Sequence, residues 1–393
     1  MTDTGIDTGA ERRALADRLT DSGDLTTPAW RAAVEAVPRE LFLEPGVFLP
    51  TDSGLWQPLT AGATAPKEWV VTAYSDQSLV TQLDNHLTAD QATKPVRGFP
   101  TSSSTIPATV VSMIEALEVA EGQQVLEIGT GTGYSTALMC HRLGEDNVTT
   151  VEVDPQVAAR ADAALEKAGY STWTVTGDGL LGHPRRAPYD RVIATCAVRR
   201  IPYTWVRQTK PGGVILATVG SWSYGTGLAK VTVNDDGTAE GRIIGRSSFM
   251  QARSQAPKSV AGDLSARTAY PDSERATKIS PLVLEEWMPA FLAQLAAPGA
   301  QFVRATASND AQLLYVFDTA RESFAEFTAA DGHAWTVHQG GPVALWDDIE
   351  RALTAWQDAG NPDITTVHLR VTNTCHDYWI EGDPALRWRH CLV

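Results

Sequence analysis

The sequence predicts an α/β protein with a doubly wound, Rossmann-like parallel sheet, an N-terminal helical segment and a C-terminal α+β domain. Short apolar strands alternate with helices between about residues 105 and 220, as in a parallel sheet with helices on both faces. A glycine-rich turn separates the first of these strands from the next helix. After residue 250 the alternation gives way to a different mixture of helices and strands. We therefore place the domain boundaries at residues 1–93, 94–250 and 251–393.

The individual elements follow from apolar spacing and from residues that begin or end helices. Thr27 and Pro28 predict the start of a helix that Pro38 ends. Between about 45 and 100 we expect loops and one strand, from Trp69 to Tyr74. Further helices are expected at 106–120, 134–143, 281–295 and 343–358, strands at 124–128, 148–153, 172–176, 191–195, 213–219, 313–317, 366–371 and 378–381, and hairpins around 230–244 and 331–332. The polar residues 251–280 predict a linker or a long loop.

Composition excludes several classes of protein. Of 393 residues, 47 are acidic and 32 basic, a net charge of −15, which disfavours binding of nucleic acid because phosphate contacts normally require a basic surface. No run of eighteen apolar residues occurs and the N-terminus is polar, so we expect neither membrane spanning nor secretion. The four cysteines, Cys140, Cys196, Cys375 and Cys391, are too scattered for a disulfide framework or a zinc-binding CxxC pair. A cytoplasmic location and no metal are predicted.

The strongest local motif is VLEIGTGTGY, residues 125–134, in which an apolar strand enters a glycine-rich turn and then a helix. Glycines allow the backbone to approach a ligand that side chains would obstruct. The spacing is GxGxG and not the GxGxxG of dinucleotide pockets, and a tight turn without a ligand is the alternative. The predicted cofactor-binding residues of this loop are Gly129, Thr130, Gly131, Thr132, Gly133 and Tyr134.

Two carboxylates follow the next strands of the same pattern. Glu152 ends the second strand, where it could accept hydrogen bonds from a ribose diol, and Asp178 with Gly179 follows the third. Each carboxylate taken alone is more often a helix cap or a solvated loop residue. Together with the glycine loop they predict an adenosine-type ligand. The missing pyrophosphate fingerprint and P-loop lysine favour S-adenosylmethionine, with S-adenosylhomocysteine as product, over a dinucleotide or ATP.

Six short motifs together are typical of one family. They are VPRELF at 37–42, AYSD at 73–76, VLEIGTGTGY at 125–134, GDG at 177–179, APYDRVI at 187–193 and QTKPGG at 208–213. On these motifs the sequence from about residue 36 to residue 250 resembles the protein-L-isoaspartate O-methyltransferases, which are class I S-adenosylmethionine enzymes. The resemblance implies cofactor contacts from the 129–134 loop, Glu152 and Asp178.

The chain departs from this family just before the first core helix. The family reads Thr-Ile-Ser-x-Pro there, whereas this chain reads Ser103-Ser104-Thr105-Ile106-Pro107. Anchored on the proline, Thr105 takes the position of the family's active-site serine. The resemblance thus implies that Ser103, Ser104 and Thr105 contact the substrate, and a polar turn with a helix N-cap is the alternative.

A second departure is length, because roughly 140 residues follow the point at which the repair enzymes end. The hydroxyl run and the segment GPVALWD at 341–347 resemble the long methyltransferases encoded beside ATP-grasp ligases in graspetide biosynthesis. That resemblance implies methylation of an aspartate side chain in a ribosomally made precursor peptide crosslinked by the ligase, followed by collapse of the ester to a succinimide (aspartimide). A general isoaspartate repair enzyme, the lanthipeptide-associated homologue and a non-catalytic peptide-binding subunit remain alternatives.

The expected chemistry explains why the sequence shows no Ser-His-Asp constellation. A carboxylate with a pKa of about 4 is already ionised at neutral pH, so the enzyme needs to align the reactants and not to remove a proton. Arg199, or its neighbour Arg200, follows a strand at the ligand-binding edge and is predicted to orient the acidic substrate; a solvated surface pair is the alternative. Residues 94–250 carry fifteen acidic and fifteen basic residues, so the excess negative charge lies on the flanks.

Overall fold

The computed structural model describes residues 7–256, 260, 264–306, 312–329 and 335–391. These residues form two compact units. The first comprises Met1–Cys196 and Thr204–Leu216, and the second comprises Ala197–Tyr203 and Ala217–Val393. Two strands and one short helix contribute residues to both units.

The first unit begins with helices and a small sheet and continues into the alternating region. Its helices are α1 (Gly9–Asp21), α2 (Pro28–Ala36), α3 (Pro66–Ala73), α4 (Pro107–Ala116), α5 (Tyr134–Leu143), α6 (Pro155–Lys167) and α7 (Tyr203–Gln208). Its strands are β1 (Val47–Pro50), β2 (Trp56–Leu59), β3 (Leu79–Leu83), β4 (Pro100–Ser104), β5 (Val125–Ile128), β6 (Val148–Glu152), β7 (Trp173–Thr176), β8 (Tyr189–Val198) and β9 (Thr209–Val219).

The predicted doubly wound sheet is confirmed in this unit. Strand β5 pairs in parallel with β6 and β8, β6 pairs in parallel with β7, and the strand order is β9-β8-β5-β6-β7. Every residue of β5 and β6 is buried, as expected for strands covered on both faces. The helix predicted at 134–143 is α5 itself, which starts after Gly133 and ends before Gly144, both at positive φ.

A second, antiparallel sheet in this unit has the order β2-β1-β3-β4, where the sequence indicated mostly loops. The strand expected from Trp69 to Tyr74 is wrong, because these residues belong to helix α3 and its end. Their β-branched run resembles a strand, but Pro66 begins a helix whose buried side chains are Trp69, Val70 and Ala73. The hydroxyl-rich segment Pro100–Ser104 forms strand β4 and pairs with β3.

The second unit contains two further sets of paired strands. Its elements are β10 (Gly227–Val233), β11 (Ala239–Arg246), α8 (Leu264–Arg267), β12 (Ser273–Thr277), α9 (Trp287–Ala296), β13 (Gln301–Thr306), β14 (Gln312–Asp318), β15 (Ser323–Ala329), β16 (Trp335–Gly340), α10 (Leu345–Asp358), β17 (Val367–Val371), β18 (Cys375–Ile380) and β19 (Arg387–Cys391). One set has the order β10-β11-β17-β18-β19 and the other β12-β16-β15-β14-β13.

Most sequence-predicted elements of this unit are present with small shifts of their ends. The expected hairpin around 230–244 is β10 and β11, which pair antiparallel. Strands β15 and β16 also pair antiparallel, while the turn predicted at Asp331 and Gly332 lies outside the described residues. The supposed linker at 251–280 is partly structured, because β12 pairs with β16. Strand β12 has three exposed and two half-buried residues, so its apolar pattern was too weak to predict it.

The antiparallel pairing of β18 with β19 brings together two cysteines for which the sequence predicted no disulfide. Cys375 and Cys391 are register partners, and their sulfur atoms form a disulfide with the Cα atoms 4.1 Å apart. Their residue numbers differ by 16, and that spacing alone does not indicate a disulfide. Cys140 and Cys196 are free.

The core of the first unit encloses a carboxylate, that of Glu127 on β5. Its oxygens accept hydrogen bonds from the hydroxyls of Ser135 and Thr136, each at 2.5 Å, and of Thr150 at 2.8 Å. Glu127 is fully buried. Burial raises the pKa of this carboxyl above its ordinary value, although the three hydroxyl donors act in the opposite direction.

We predict that Glu127 makes the protein less stable as pH rises. Because the folded-state pKa is raised, the folded chain retains a proton that the unfolded chain loses above its ordinary pKa of about 4.3. The stability that this proton contributes is lost as pH increases through the raised pKa. Urea unfolding at about pH 5 and about pH 8 should show a larger decrease for the native protein than for Glu127→Gln. The exposed Glu121→Gln is the matched control, and parallel pH dependences of native protein and Glu127→Gln would contradict the prediction.

Candidate active site

The glycine-rich loop after β5 adopts a backbone that side chains would strain. Gly129, Gly131 and Gly133 all have positive φ, at 93°, 56° and 90°. The amide of Gly129 donates to the Val151 carbonyl at 2.8 Å. A Cβ on Gly129 would lie 2.9 Å from the Thr195 hydroxyl, which is closer than real Cβ contacts allow. The loop is therefore held close to the ends of β6 and β8.

Glu152 links this loop to the carboxyl end of β6. One oxygen of its carboxylate accepts from the Gly131 amide and the other from the Asp154 amide, both at 3.0 Å. Its side chain is buried, with 7% of the residue exposed. Asp154 in turn caps α6 by accepting from the Gln156 and Val157 amides. The position of the Glu152 carboxylate is thus fixed by backbone donors on both sides.

Asp178 and Gly179 follow β7. Asp178 is exposed, and one of its carboxylate oxygens accepts from the Leu180 amide at 3.0 Å as an N-cap. A Cβ on Gly179 would lie 2.5 Å from the Ile128 side chain at the end of β5. The glycine therefore allows this turn to pack directly against the strand that leads into the glycine-rich loop.

Strand β4 presents its hydroxyl groups on alternating faces. Ser102 and Ser104 are buried at 7% and 2% exposure, whereas Ser103 and Thr105 are half-buried. A Cβ on Gly131 would lie 3.7 Å from the Ser103 carbonyl oxygen. The end of β4 is therefore adjacent to the glycine-rich loop, and Ser103 and Thr105 are the partly accessible members of the run.

Arg39, to which sequence reasoning assigned no role, holds the end of β4 in place. Its fully buried guanidinium donates to the Ala73 carbonyl at 2.5 Å and the Thr105 carbonyl at 3.2 Å. It also donates to the carbonyls of Ser75 and Gln77 and to the Ser104 hydroxyl. Burial lowers the pKa of Arg39 to about 10. Arg39 lies in the VPRELF motif, but only the fold identifies its acceptors.

Tyr134, the last residue of the predicted cofactor loop, lies in the protein interior. Its ring contacts Phe42 edge-on at 5.9 Å between centroids, and the Arg39 guanidinium carbon lies 5.9 Å from the ring centroid. Its buried hydroxyl has no hydrogen-bond partner among the described residues. Burial raises the pKa of Tyr134 to about 12. In this structure the side chain packs against the segment that carries Arg39.

Arg199 belongs to the second unit, as does its neighbour Arg200, unlike the other candidate residues. Its backbone amide donates to the Gln255 side chain at 2.6 Å. Its guanidinium lines a cavity of that unit together with Arg200.

The chain is similar to known proteins over much of its length. The family model described as "Protein-L-isoaspartate(D-aspartate) O-methyltransferase (PCMT)" matches residues 61–256. A protein-L-isoaspartate O-methyltransferase of Hyperthermus butylicus is 31% identical over 243 residues, which cover 59% of this chain and 84% of that protein. The chain belongs to the protein-L-isoaspartate O-methyltransferase family.

Two further relatives of this family define how far the similarity extends. The enzyme of Ignicoccus hospitalis is 40% identical over 136 residues, but the match spans 34% of this chain and only 64% of that protein. A solved structure named protein-L-isoaspartate O-methyltransferase covers 97% of this chain and 100% of its own, with a TM-score of 0.51 and 22% identity. This last similarity is evidence for the fold alone.

The family uses S-adenosylmethionine, and the residues present fit this cofactor. The three positive-φ glycines allow the tight turn of the loop, and the backbone of Gly129 and Gly131 is only partly buried. The Glu152 carboxylate stands at the end of β6, where it can accept from ribose hydroxyls, and Asp178 is open to solvent at the end of β7. Among the described residues, no cluster of three or more His, Cys, Asp or Glu could bind a metal ion. None of the helices in the described ranges combines the length and apolar character needed to cross a bilayer.

We predict that Arg39→Met destabilises the protein strongly, because it removes the donor for five acceptors, two of them in buried contacts. The free energy of unfolding should fall by about 3 kcal/mol or more, measured by urea unfolding. Arg13→Met, at an exposed position of α1, is the matched control and should change it by less than about 0.5 kcal/mol. Equal effects of the two substitutions would show that the buried guanidinium contributes no net stability.

Proposed function

We propose that this protein is an S-adenosylmethionine-dependent carboxyl O-methyltransferase that esterifies an aspartate side chain in a ribosomally made, ligase-modified peptide of the graspetide type. The ester then closes to a succinimide. The observation that carries the proposal is the junction of β4 with the glycine-rich loop, where the Ser103 carbonyl lies 3.7 Å from the position of a Gly131 Cβ. The end of the strand that carries the candidate hydroxyl groups therefore lies beside the loop assigned to the cofactor.

The chain's own residues would act by positioning. When bound, S-adenosylmethionine supplies the methyl group and is left as S-adenosylhomocysteine. A carboxylate oxygen of the peptide forms the new bond to the methyl carbon as the carbon–sulfur bond breaks. The carboxylate needs no general base, since its pKa is about 4. The hydroxyls of Ser103 and Thr105 can hold it by neutral hydrogen bonds, and Arg39 fixes the backbone that presents them.

Ring closure requires only groups of the peptide. The backbone nitrogen of the following residue attacks the ester carbonyl, loses its proton, and methanol leaves. A methyl ester is a better substrate for this attack than an ionised carboxylate, because its leaving group departs as a neutral alcohol. The product is the five-membered succinimide.

Two features support a dedicated peptide over general repair. The position of the family's active-site serine is taken by Thr105, which brings an extra methyl group into the setting of the substrate carboxylate. The chain also continues beyond the family match that ends at residue 256, and we assign residues 251–393 to substrate recognition. A cytoplasmic location is part of the proposal. The Cys375–Cys391 disulfide is of a kind that is rare in such a reducing compartment.

General isoaspartate repair is the second candidate, favoured by the similarity to the Hyperthermus butylicus enzyme over most of that protein's length. The two functions differ in substrate. A repair enzyme methylates short isoaspartyl peptides, whereas a dedicated enzyme has little activity on them.

Mass spectrometry decides between these functions. The purified protein and S-adenosylmethionine are incubated with a ligase-crosslinked precursor peptide, with the uncrosslinked peptide, and with a short isoaspartyl peptide. We expect the crosslinked peptide to gain one methyl ester and then to lose methanol. Turnover of the isoaspartyl peptide alone would support repair instead. Cofactor binding without any methylated product would indicate a non-catalytic peptide-binding subunit.

Substitutions of Thr105, predicted to contact the substrate, and of Glu152, predicted to contact the cofactor, should separate turnover from cofactor binding. Thr105→Ala is expected to lower kcat about tenfold or more with unchanged affinity for S-adenosylhomocysteine. Glu152→Ala is expected to weaken that affinity about tenfold or more, because it removes the acceptor for the ribose and the tie to Gly131. Calorimetric titration gives the affinity and single-turnover kinetics the rate. Asp162→Ala on α6 is an exposed control, and a Thr105→Ala protein with normal kcat would remove Thr105 from the site.

A further inference from the structure

The second unit contains a cavity of about 570 Å³ whose wall is unusually basic. Its volume is within the range of ligand-binding sites. Two acidic residues, Asp318 and Asp348, also line it. The six arginines of the lining are Arg199, Arg200, Arg321, Arg351, Arg387 and Arg389. The cavity is therefore net positive, although residues 251–393 carry an excess of acidic residues.

Three of these arginines already have carboxylate partners. Arg351 pairs with Asp348 at 2.9 Å, and Arg321 lies 3.9 Å from Asp318. Arg389 pairs with Asp377 at 2.5 Å. Their charges are partly balanced within the protein.

The remaining three arginines form no ion pair with a described carboxylate, although the negative charge of Asp318 acts on Arg199. Arg200 donates to the neutral backbone carbonyl of Cys391 at 3.0 Å. The side chains of Arg199 and Arg387 form no hydrogen bond or ion pair with any residue that the structure describes. A ligand with negative charge would supply the missing acceptors.

Two buried donors in the same wall lack acceptors. The Nε of Arg199 and the hydroxyl of Ser221 are buried without a hydrogen-bond partner among the described residues. Burial and the like charge of Arg200 lower the pKa of Arg199. An unpaired cation and an unpaired hydroxyl in one wall are unfavourable in the free protein, and an anion would relieve both.

Part of the remaining lining is apolar, with Phe291, Leu295 and Trp388 beside the arginines. A small inorganic anion would leave these surfaces unused. A peptide with acidic side chains contacts both kinds of surface, because its aliphatic stems pack on apolar groups while its carboxylates reach guanidinium groups. Guanidinium groups bind carboxylates in bidentate geometry.

We propose that this cavity is a docking site for an acidic stretch of the peptide substrate, with its carboxylates bound by Arg199, Arg200 and Arg387. The inference rests on the proposed function, since it names a second recognition element for the same peptide. The site would select peptides by charge before the target aspartate reaches the hydroxyl groups of β4.

The test uses fluorescence anisotropy with a fluorescein-labelled oligoglutamate peptide and an oligoglutamine peptide of the same length, without S-adenosylmethionine. We expect the full-length native protein to bind oligoglutamate, to bind it less tightly as ionic strength rises, and to bind oligoglutamine at least about tenfold more weakly. The Arg199→Gln/Arg387→Gln protein should lose about tenfold or more in oligoglutamate affinity. Arg242→Gln, an exposed position on β11 outside the cavity, should lose less than about twofold.

Three results would overturn the docking site. They are equal binding of oligoglutamine, unchanged oligoglutamate affinity of the double variant, and displacement of the peptide by inorganic pyrophosphate more readily than by glutarate at equal ionic strength. The last would identify a phosphate site. If the double variant is unstable in a thermal unfolding control, Arg387→Gln alone and the comparison of the two peptides on the native protein give the answer.

The assay is independent of methyl transfer. Methylated product in the mass-spectrometric experiment together with no oligoglutamate binding would reject the docking site alone. Oligoglutamate binding without any methylated product would reject the proposed function and leave an acidic-peptide site.

Discussion

The buried guanidinium of Arg39 connects its own segment, VPRELF, to two other segments on which the candidate site depends. It donates to carbonyls of residues 73–77 and to Ser104 and Thr105 at the end of β4. A charge in a fully buried position is costly unless its hydrogen bonds are satisfied, so the acceptors must be held in place around it. The lowered pKa of Arg39 reflects that cost. The hydroxyl strand and the AYSD segment are therefore fixed relative to each other by one side chain.

Different interactions hold the glycine-rich loop after β5 in place. Gly129, Gly131 and Gly133 adopt positive φ, and Glu152 accepts from the Gly131 amide. The same carboxylate that we assign to ribose binding thus also shapes the loop in the free protein. Because the Glu152 carboxylate is hydrogen-bonded to the backbone, its position is set before a ligand binds. Binding then needs little reorganisation of the backbone, which favours affinity.

Charge is distributed unevenly in the second unit. An overall charge of −15 argues against nucleic acid, but it does not describe the cavity that Arg199, Arg200 and Arg387 line. Arginines spread over nearly two hundred residues of sequence line the same cavity, and Arg200 donates to the Cys391 carbonyl of β19, the last strand of the described chain. A composition-based argument cannot detect such a convergence, since it averages over the whole chain.

The sequence by itself determined the parallel sheet, the glycine-rich loop and the family. Periodic apolar segments and closely spaced glycines are local properties of the sequence. This is why helix α5 and strand β5 were predicted almost to the residue. It did not determine that Trp69 lies in a helix, that residues 100–104 form a strand, that Cys375 faces Cys391, or that Arg39 is the donor for the end of β4. Each of these depends on partners distant in the chain. Hydrogen-bond acceptors, strand register and burial are set by tertiary packing, and a linear pattern contains them only where the partners are neighbours in sequence.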